Sequence, residues 1–97
     1  MIEFEWDIEK NKMNTLKHGV TFKEAASAFM DGFARTIPDP DHSTEEDRFI
    51  LLGMLINSKL LLVCHCYREN ANIIRIVSAR NHQMKLLILR FAIIFFM

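Results

Sequence analysis

Ile2, Phe4 and Trp6 alternate with Glu3 and Glu5 at the start of the chain, the period-two pattern of a short, half-exposed strand. Asp7 is placed to cap a helix, with Glu9 in the first turn, where negative charge suits the helix dipole. Lys17 and His18 close that helix and Gly19 stops it. Its apolar stripe of Ile8, Thr15 and Leu16 is thin, which predicts a helix on the surface of the fold. Thr21-Phe22-Lys23-Glu24 is a capping box, in which Glu24 reaches back to the backbone N–H of the cap. Phe22, Ala25, Ala26 and Phe29 follow at helical spacing, so a second helix buries one face before Gly32 ends it. Residues 33–37 read as a brief strand, stopped by the turn Pro38-Asp39-Pro40-Asp41.

The second half is a series of apolar runs cut by short turns. Residues 48–56 and 60–67 flank Asn57-Ser58, and Glu69-Asn70-Ala71-Asn72 leads into Ile73-Ile74-Arg75-Ile76-Val77-Ser78-Ala79-Arg80. Three strands joined this way predict an antiparallel meander. In the last strand, alternation puts Ile74, Ile76 and Ser78 on one face and Ile73, Arg75, Val77 and Ala79 on the other. The predicted fold class is α+β: two N-terminal helices on an antiparallel sheet whose last strand is residues 73–78, then a C-terminal helix. That helix falls in residues 84–97, where Lys85 and Arg90 are the only charges. At ~1.5 Å per residue it would span about 21 Å, short of a ~30 Å bilayer core. It is expected to bury itself against the sheet or a second subunit, and a self-complementary contact would give a homodimer.

Composition changes this picture in two respects. At 97 residues, 51% hydrophobic and 25% charged, the chain is a single globular domain and not a disordered one. The net charge is zero, yet residues 1–47 hold eleven Asp and Glu against five Lys and Arg. Residues 48–97 hold seven Lys and Arg against Glu69 alone. Either the halves neutralise each other in the fold, or the second half meets an anionic or acidic partner. Cys64 and Cys66 stand at i and i+2, an awkward geometry for a disulfide. With no signal peptide at the start, a reduced cytoplasmic setting is expected.

Phe4-Glu5-Trp6-Asp7, Lys17-His18-Gly19-Val20 with Phe22, Glu24 and Ala25, Pro38-Asp39-Pro40-Asp41-His42-Ser43 with Glu46 and Arg48, and residues 74–80 occur in an order and spacing that resembles the BrnT toxins of bacterial type II toxin–antitoxin modules. The resemblance covers roughly residues 4–80. It implies a RelE-like fold and metal-independent ribonuclease activity that cleaves mRNA and halts translation. It also implies a BrnA-like antitoxin with a ribbon-helix-helix domain, through which the complex reaches its operator DNA. The chain departs from the family after Arg80, where Asn81-His82-Gln83 leads into the apolar run in place of a charged helix. A shifted reading frame near the end of the gene would produce such a change.

RNA cleavage without a metal needs a base for the 2′-hydroxyl, a cation for the developing phosphorane charge and an acid for the leaving 5′-oxygen. Arg48, Arg75 and Arg80 are candidates for the charge role, because guanidinium matches phosphate oxygens bidentately. Arg75, set between apolar neighbours, either binds such an anion or pairs with a carboxylate such as Glu69 or Asp47. His65 is the candidate proton carrier, on the strand face shared with Leu61, Val63 and Tyr67. These four residues, Arg48, His65, Arg75 and Arg80, are expected to line one concave surface. Lys17, His18 and Trp6 are candidate RNA contacts, the last by stacking on a base. Equally, Lys17 and His18 form a helix terminus, Trp6 suits a core and His65 suits a satisfied histidine beneath the sheet. Alternation turns His65 away from Cys64 and Cys66, so no metal or other cofactor is expected. Two functions stand: a ribonuclease toxin neutralised by an antitoxin, or a catalytically impaired module that binds the antitoxin and serves only operon autoregulation.

Overall fold

The computed structural model describes residues 2–39 and 47–82. In chain order these form β1 (Glu3–Glu5), α1 (Ile8–His18), α2 (Phe22–Ser27) with a 3-10 turn at Ala28–Met30, β2 (Arg35–Pro38), β3 (Arg48–Met54), β4 (Leu60–Arg68) and β5 (Ile73–Asn81). The five strands make one sheet in the order β1-β5-β4-β3-β2. From β2 to β5 every neighbouring pair is antiparallel, and β3, β4 and β5 form the predicted meander. β1, however, runs parallel to β5, with Phe4 opposite Ile74 and Glu5 opposite Arg75. The sheet is therefore mixed rather than antiparallel. Alternation reveals that residues 3–5 are extended but not which strand they join. The whole excursion through both helices and the meander is the crossover that a parallel pair requires.

The caps form as the sequence predicts. Asp7 accepts from the N–H groups of Glu9 and Lys10 at 2.8 and 3.1 Å, and Thr21 and Glu24 make the reciprocal capping box. Gly19 ends α1 at φ 70°, donating its N–H to the Thr15 carbonyl at 2.9 Å. The second helix is shorter than its apolar spacing suggests, tightening into the 3-10 turn at Ala28. There the Ala28 carbonyl presses on β3, where a Cβ built on Gly53 would come within 2.7 Å of it. Only glycine admits this approach of turn to sheet.

The register divides the sheet into two faces. Phe22, Ala25 and Ala28 of the helical segment, together with Val20, cover Leu51, Leu61, Val63, Ile76 and Ala79, and this is the core. A β-bulge between β4 and β5 sets His65 opposite Ile76 but Cys64 opposite Ser78, leaving Val77 as the extra residue. The bulge reverses the expected alternation beyond it. Ala79 turns inward with Ile74 and Ile76, and Ser78 joins the outer face with Arg75.

α1 docks through Asn14 and the half-buried Thr15, not through the apolar members of the predicted stripe. Ile8 and Leu16 are 68% and 83% exposed, while Asn14 is buried. Its side chain replaces a strand at the edge of β5 where β1 has ended. Nδ2 donates to the Ala79 carbonyl at 2.7 Å and the Val20 carbonyl at 2.9 Å, and Oδ1 accepts from the Ala79 N–H at 3.0 Å. The expected C-terminal helix, and the dimer contact built on it, lie outside the described residues.

Candidate active site

Asn14 fixes α1 on β5, so the next turn of the helix brings Lys17 and His18 beside Ser78 and Arg80. Asn81 tightens this junction by donating to the His18 carbonyl at 3.2 Å. Across the outer face, cross-strand pairing aligns Arg75, Cys66 and Arg48 in one row, Ser78, Cys64 and Ile50 in the next, and Arg80, Leu62 and Leu52 in the third. Arg48 and Arg80 thus sit at diagonal corners, about 13 Å apart along the strand direction. Together with Lys17, His18, Asp39, Cys64 and Ser78 they line a concavity of about 410 Å³ floored by Ile50, Leu62 and Val77. Among the described residues, three permanent cations face it against the one carboxylate of Asp39. Arg80 is exposed, and its side chain makes no hydrogen bond or ion pair among the described residues.

Cys64 lies inside this cleft, its Sγ 3.6 Å from Asp39 Oδ2. Burial, then the Asp39 charge and the hydrogen bond to it, push the thiol up to about 11. It stays protonated at neutral pH and is no nucleophile. Asp39, Cys64 and Ser78 are members of the cleft that sequence reasoning missed. The Pro-Asp-Pro-Asp turn marks a chain reversal, but nothing in it shows that Asp39 comes back over β3.

The expected convergence of Arg48, His65, Arg75 and Arg80 does not occur. His65 lies fully buried on the other face, beneath the helices. Its ring meets Phe29 edge-on at 4.8 Å. Its Nδ1 is 3.0 Å from the Val63 carbonyl. A carbonyl only accepts, so Nδ1 carries the proton and Nε2 faces the Tyr67 hydroxyl at 3.4 Å. Burial pushes the imidazole pKa down, the hydrogen bond to Val63 opposing it, so the ring is held neutral. Arg75 does belong to the outer face, but its Nη1 sits 3.2 Å from Glu5 Oε1, which also takes Arg68 Nε at 3.3 Å. The partner is neither Glu69 nor Asp47, because the β1–β5 pairing places Glu5 directly opposite. Trp6 is half-buried at the margin of the core, packed edge-on against Phe22 at 6.3 Å.

The buried neutral histidine has a consequence for stability. The unfolded chain takes up a proton on this imidazole below pH about 6.5, whereas the folded chain resists it. The unfolded state then binds more protons, so stability falls as pH drops from 7 to 5, by at most about 1.4 kcal/mol per pH unit from this group. Urea unfolding at pH 7 and pH 5 should show that loss, and His65→Phe should flatten it. An equal acid loss in both proteins would rule out His65 as the cause.

Among the described residues no group of three or more His, Cys, Asp or Glu side chains is placed to hold a metal ion, and no helix is long and apolar enough to cross a membrane. A family model described as the ribonuclease toxin BrnT of type II toxin–antitoxin systems matches residues 6–85. A search of curated proteins found no match. Among solved structures, the fold is similar to that of the Brucella abortus ribonuclease toxin BrnT, with a TM-score of 0.66 at 20% identity, covering 86% of this chain and 99% of that one. At that identity the structural likeness speaks for the fold, an α+β arrangement of a five-stranded mixed sheet with two helices. The sequence match takes in most of the chain, including all four basic residues of the cleft. By that match, the chain belongs to the BrnT family of ribonuclease toxins of type II toxin–antitoxin systems.

Proposed function

We propose that the cleft formed by Lys17, His18, Arg48 and Arg80 binds single-stranded RNA and cleaves it by metal-independent transesterification. The observation that carries this reading is the convergence of three permanent cations and an imidazole on one concavity. In the reaction the 2′-oxygen attacks the adjacent phosphorus and the bond from phosphorus to the 5′-oxygen breaks. The products are a 2′,3′-cyclic phosphate and a 5′-hydroxyl. The proton lost from the 2′-hydroxyl and the proton gained by the leaving oxygen balance, so no water or oxidant is consumed. Arg48 and Arg80 stabilise the dianionic phosphorane from opposite corners. Lys17 holds the flanking phosphate, and His18 supplies an imidazole, the side chain suited to passing protons near neutral pH.

Cleavage of mRNA would inhibit translation in the cytoplasm. The family implies an antitoxin partner. In this reading it is a BrnA-like ribbon-helix-helix protein that covers the cationic cleft with acidic or apolar groups and carries the complex to operator DNA. The purified protein should cut single-stranded RNA in the presence of EDTA, leaving cyclic phosphate ends. Cleavage abolished by EDTA, or ends of another kind, would overturn the mechanism. The abrupt change in composition after Arg80 favours a second reading, an interaction module without catalysis. Antitoxin binding with no RNA cleavage by the same preparation would select it.

A further inference from the structure

A second concavity, of about 460 Å³, adjoins the cleft and shares Lys17, His18, Val77 and Ser78 with it. Its outer wall is α1, where Lys10, Met13 and Lys17 lie at i, i+3 and i+7 on one helix face. Met13 is 66% exposed there, an uncovered thioether of the kind that favours contact with aromatic rings. Neither Lys10 nor Lys17 makes an ion pair among the described residues; Glu9, which also lines this concavity, has its carboxylate 3.7 Å from the Lys12 ammonium. The two concavities therefore form one groove, with Lys17 and His18 on the ridge between them and cations on both sides of that ridge.

We propose that this second concavity is a nucleotide subsite. It receives the base and phosphate flanking the linkage held in the cleft, so that the substrate class is single-stranded RNA longer than a dinucleotide. Met13 lies against the flanking base, Lys10 takes its outer phosphate, and Lys17 takes the phosphate joining the two sites. A duplex is disfavoured, because its bases are stacked and paired and have no free face for Met13. The assignment rests on the reading of the cationic cleft as an RNA site and adds to it a length requirement.

The probes are mixed-sequence 2′-O-methyl oligonucleotides of two and six nucleotides, which lack the attacking hydroxyl and so are bound but not cut. The hexamer is expected to bind the full-length protein about tenfold more tightly than the dimer. Lys10→Glu and Met13→Asp should each remove most of that gain while leaving dimer binding within about twofold, and Met13→Leu should retain it. Lys10→Glu should also reduce the slope of log affinity against log salt by about 0.7 for the hexamer, one single-strand phosphate contact. Both side chains are exposed, so unchanged unfolding midpoints would show that the variants fold. If the hexamer binds more tightly but the variants match the wild type, the subsite is wrong and the RNA cleft stands. Variants that weaken dimer and hexamer alike would also overturn the flanking assignment. If neither probe binds the wild type, both the subsite and the cleft reading fall.

Discussion

Arg48→Ala and Arg80→Ala are each expected to slow RNA cleavage by about 10²-fold, whereas Arg75→Ala should leave it within a few-fold of wild type. Removing one preformed donor from a site of developing oxyanion charge typically lowers kcat by ~10²–10³-fold. Arg48 and Arg80 are the guanidiniums that line the cleft. Arg75 shares their face of the sheet, but at 3.2 Å its charge is directed to Glu5, toward the β1 edge. That pair is about a third exposed on each side, and pairs of this kind contribute about 0–1 kcal/mol to stability. Lysine at position 48 or 80 should restore only part of the rate, since it keeps the charge but loses the planar fork that grips two phosphate oxygens. Single-turnover cleavage of a short RNA, with folding checked by unfolding midpoint, measures all of these. A 10²-fold loss in Arg75→Ala with Arg80→Ala unchanged would move the chemistry to the β1 edge and away from the cleft.

The contrast between Arg75 and Arg80 also shows what a sequence can and cannot disclose. Capping residues act over three or four positions, so Asp7, Gly19 and the Thr21–Glu24 box placed both helix starts and the end of α1 correctly. The meander was legible for the same local reason, in apolar runs separated by short turns. Long-range pairing leaves no such mark. Nothing near Arg75 signals that Glu5, seventy residues earlier, will lie opposite it. The bulge at Val77 is similarly silent, yet it decides that Ser78 faces the cleft while Ala79 enters the core. His65 failed as a site residue for another reason. Alternation separated it correctly from Cys64 and Cys66, but alternation does not say which face of the sheet the helices will cover. Lys17 and His18 were legible as a helix terminus, and their place beside Arg80 depends on how α1 docks.

That docking depends on Asn14, and Asn14→Ala is expected to destabilise the protein by about 3 kcal/mol. Truncation removes bonds of 2.7, 2.9 and 3.0 Å and leaves the Ala79 N–H and carbonyl without their side-chain partner in a buried place, while the Val20 carbonyl keeps only the Thr15 hydroxyl at 3.4 Å. Each such group left unsatisfied costs about 1–3 kcal/mol, less where water enters. A loss near 3 kcal/mol is large against the ~5–15 kcal/mol that holds a typical domain together. Asn14→Leu separates hydrogen bonding from burial, because it keeps an apolar volume of similar size and should be no more stable than the alanine variant. Asn14→Asp keeps an acceptor for the Ala79 N–H but aims a second oxygen at two carbonyls, and should be at least as damaging. Leu16→Lys, on the 83%-exposed side of the same helix, should change stability by no more than about 0.5 kcal/mol. Because α1 carries Lys17 and His18, the Asn14 variants should also weaken binding of a non-cleavable RNA under conditions where they remain folded. Urea unfolding and that binding measurement test the two claims together. If Asn14→Leu matches the wild type while Leu16→Lys unfolds, α1 is held by its apolar stripe and the hydrogen-bonded edge is not its anchor.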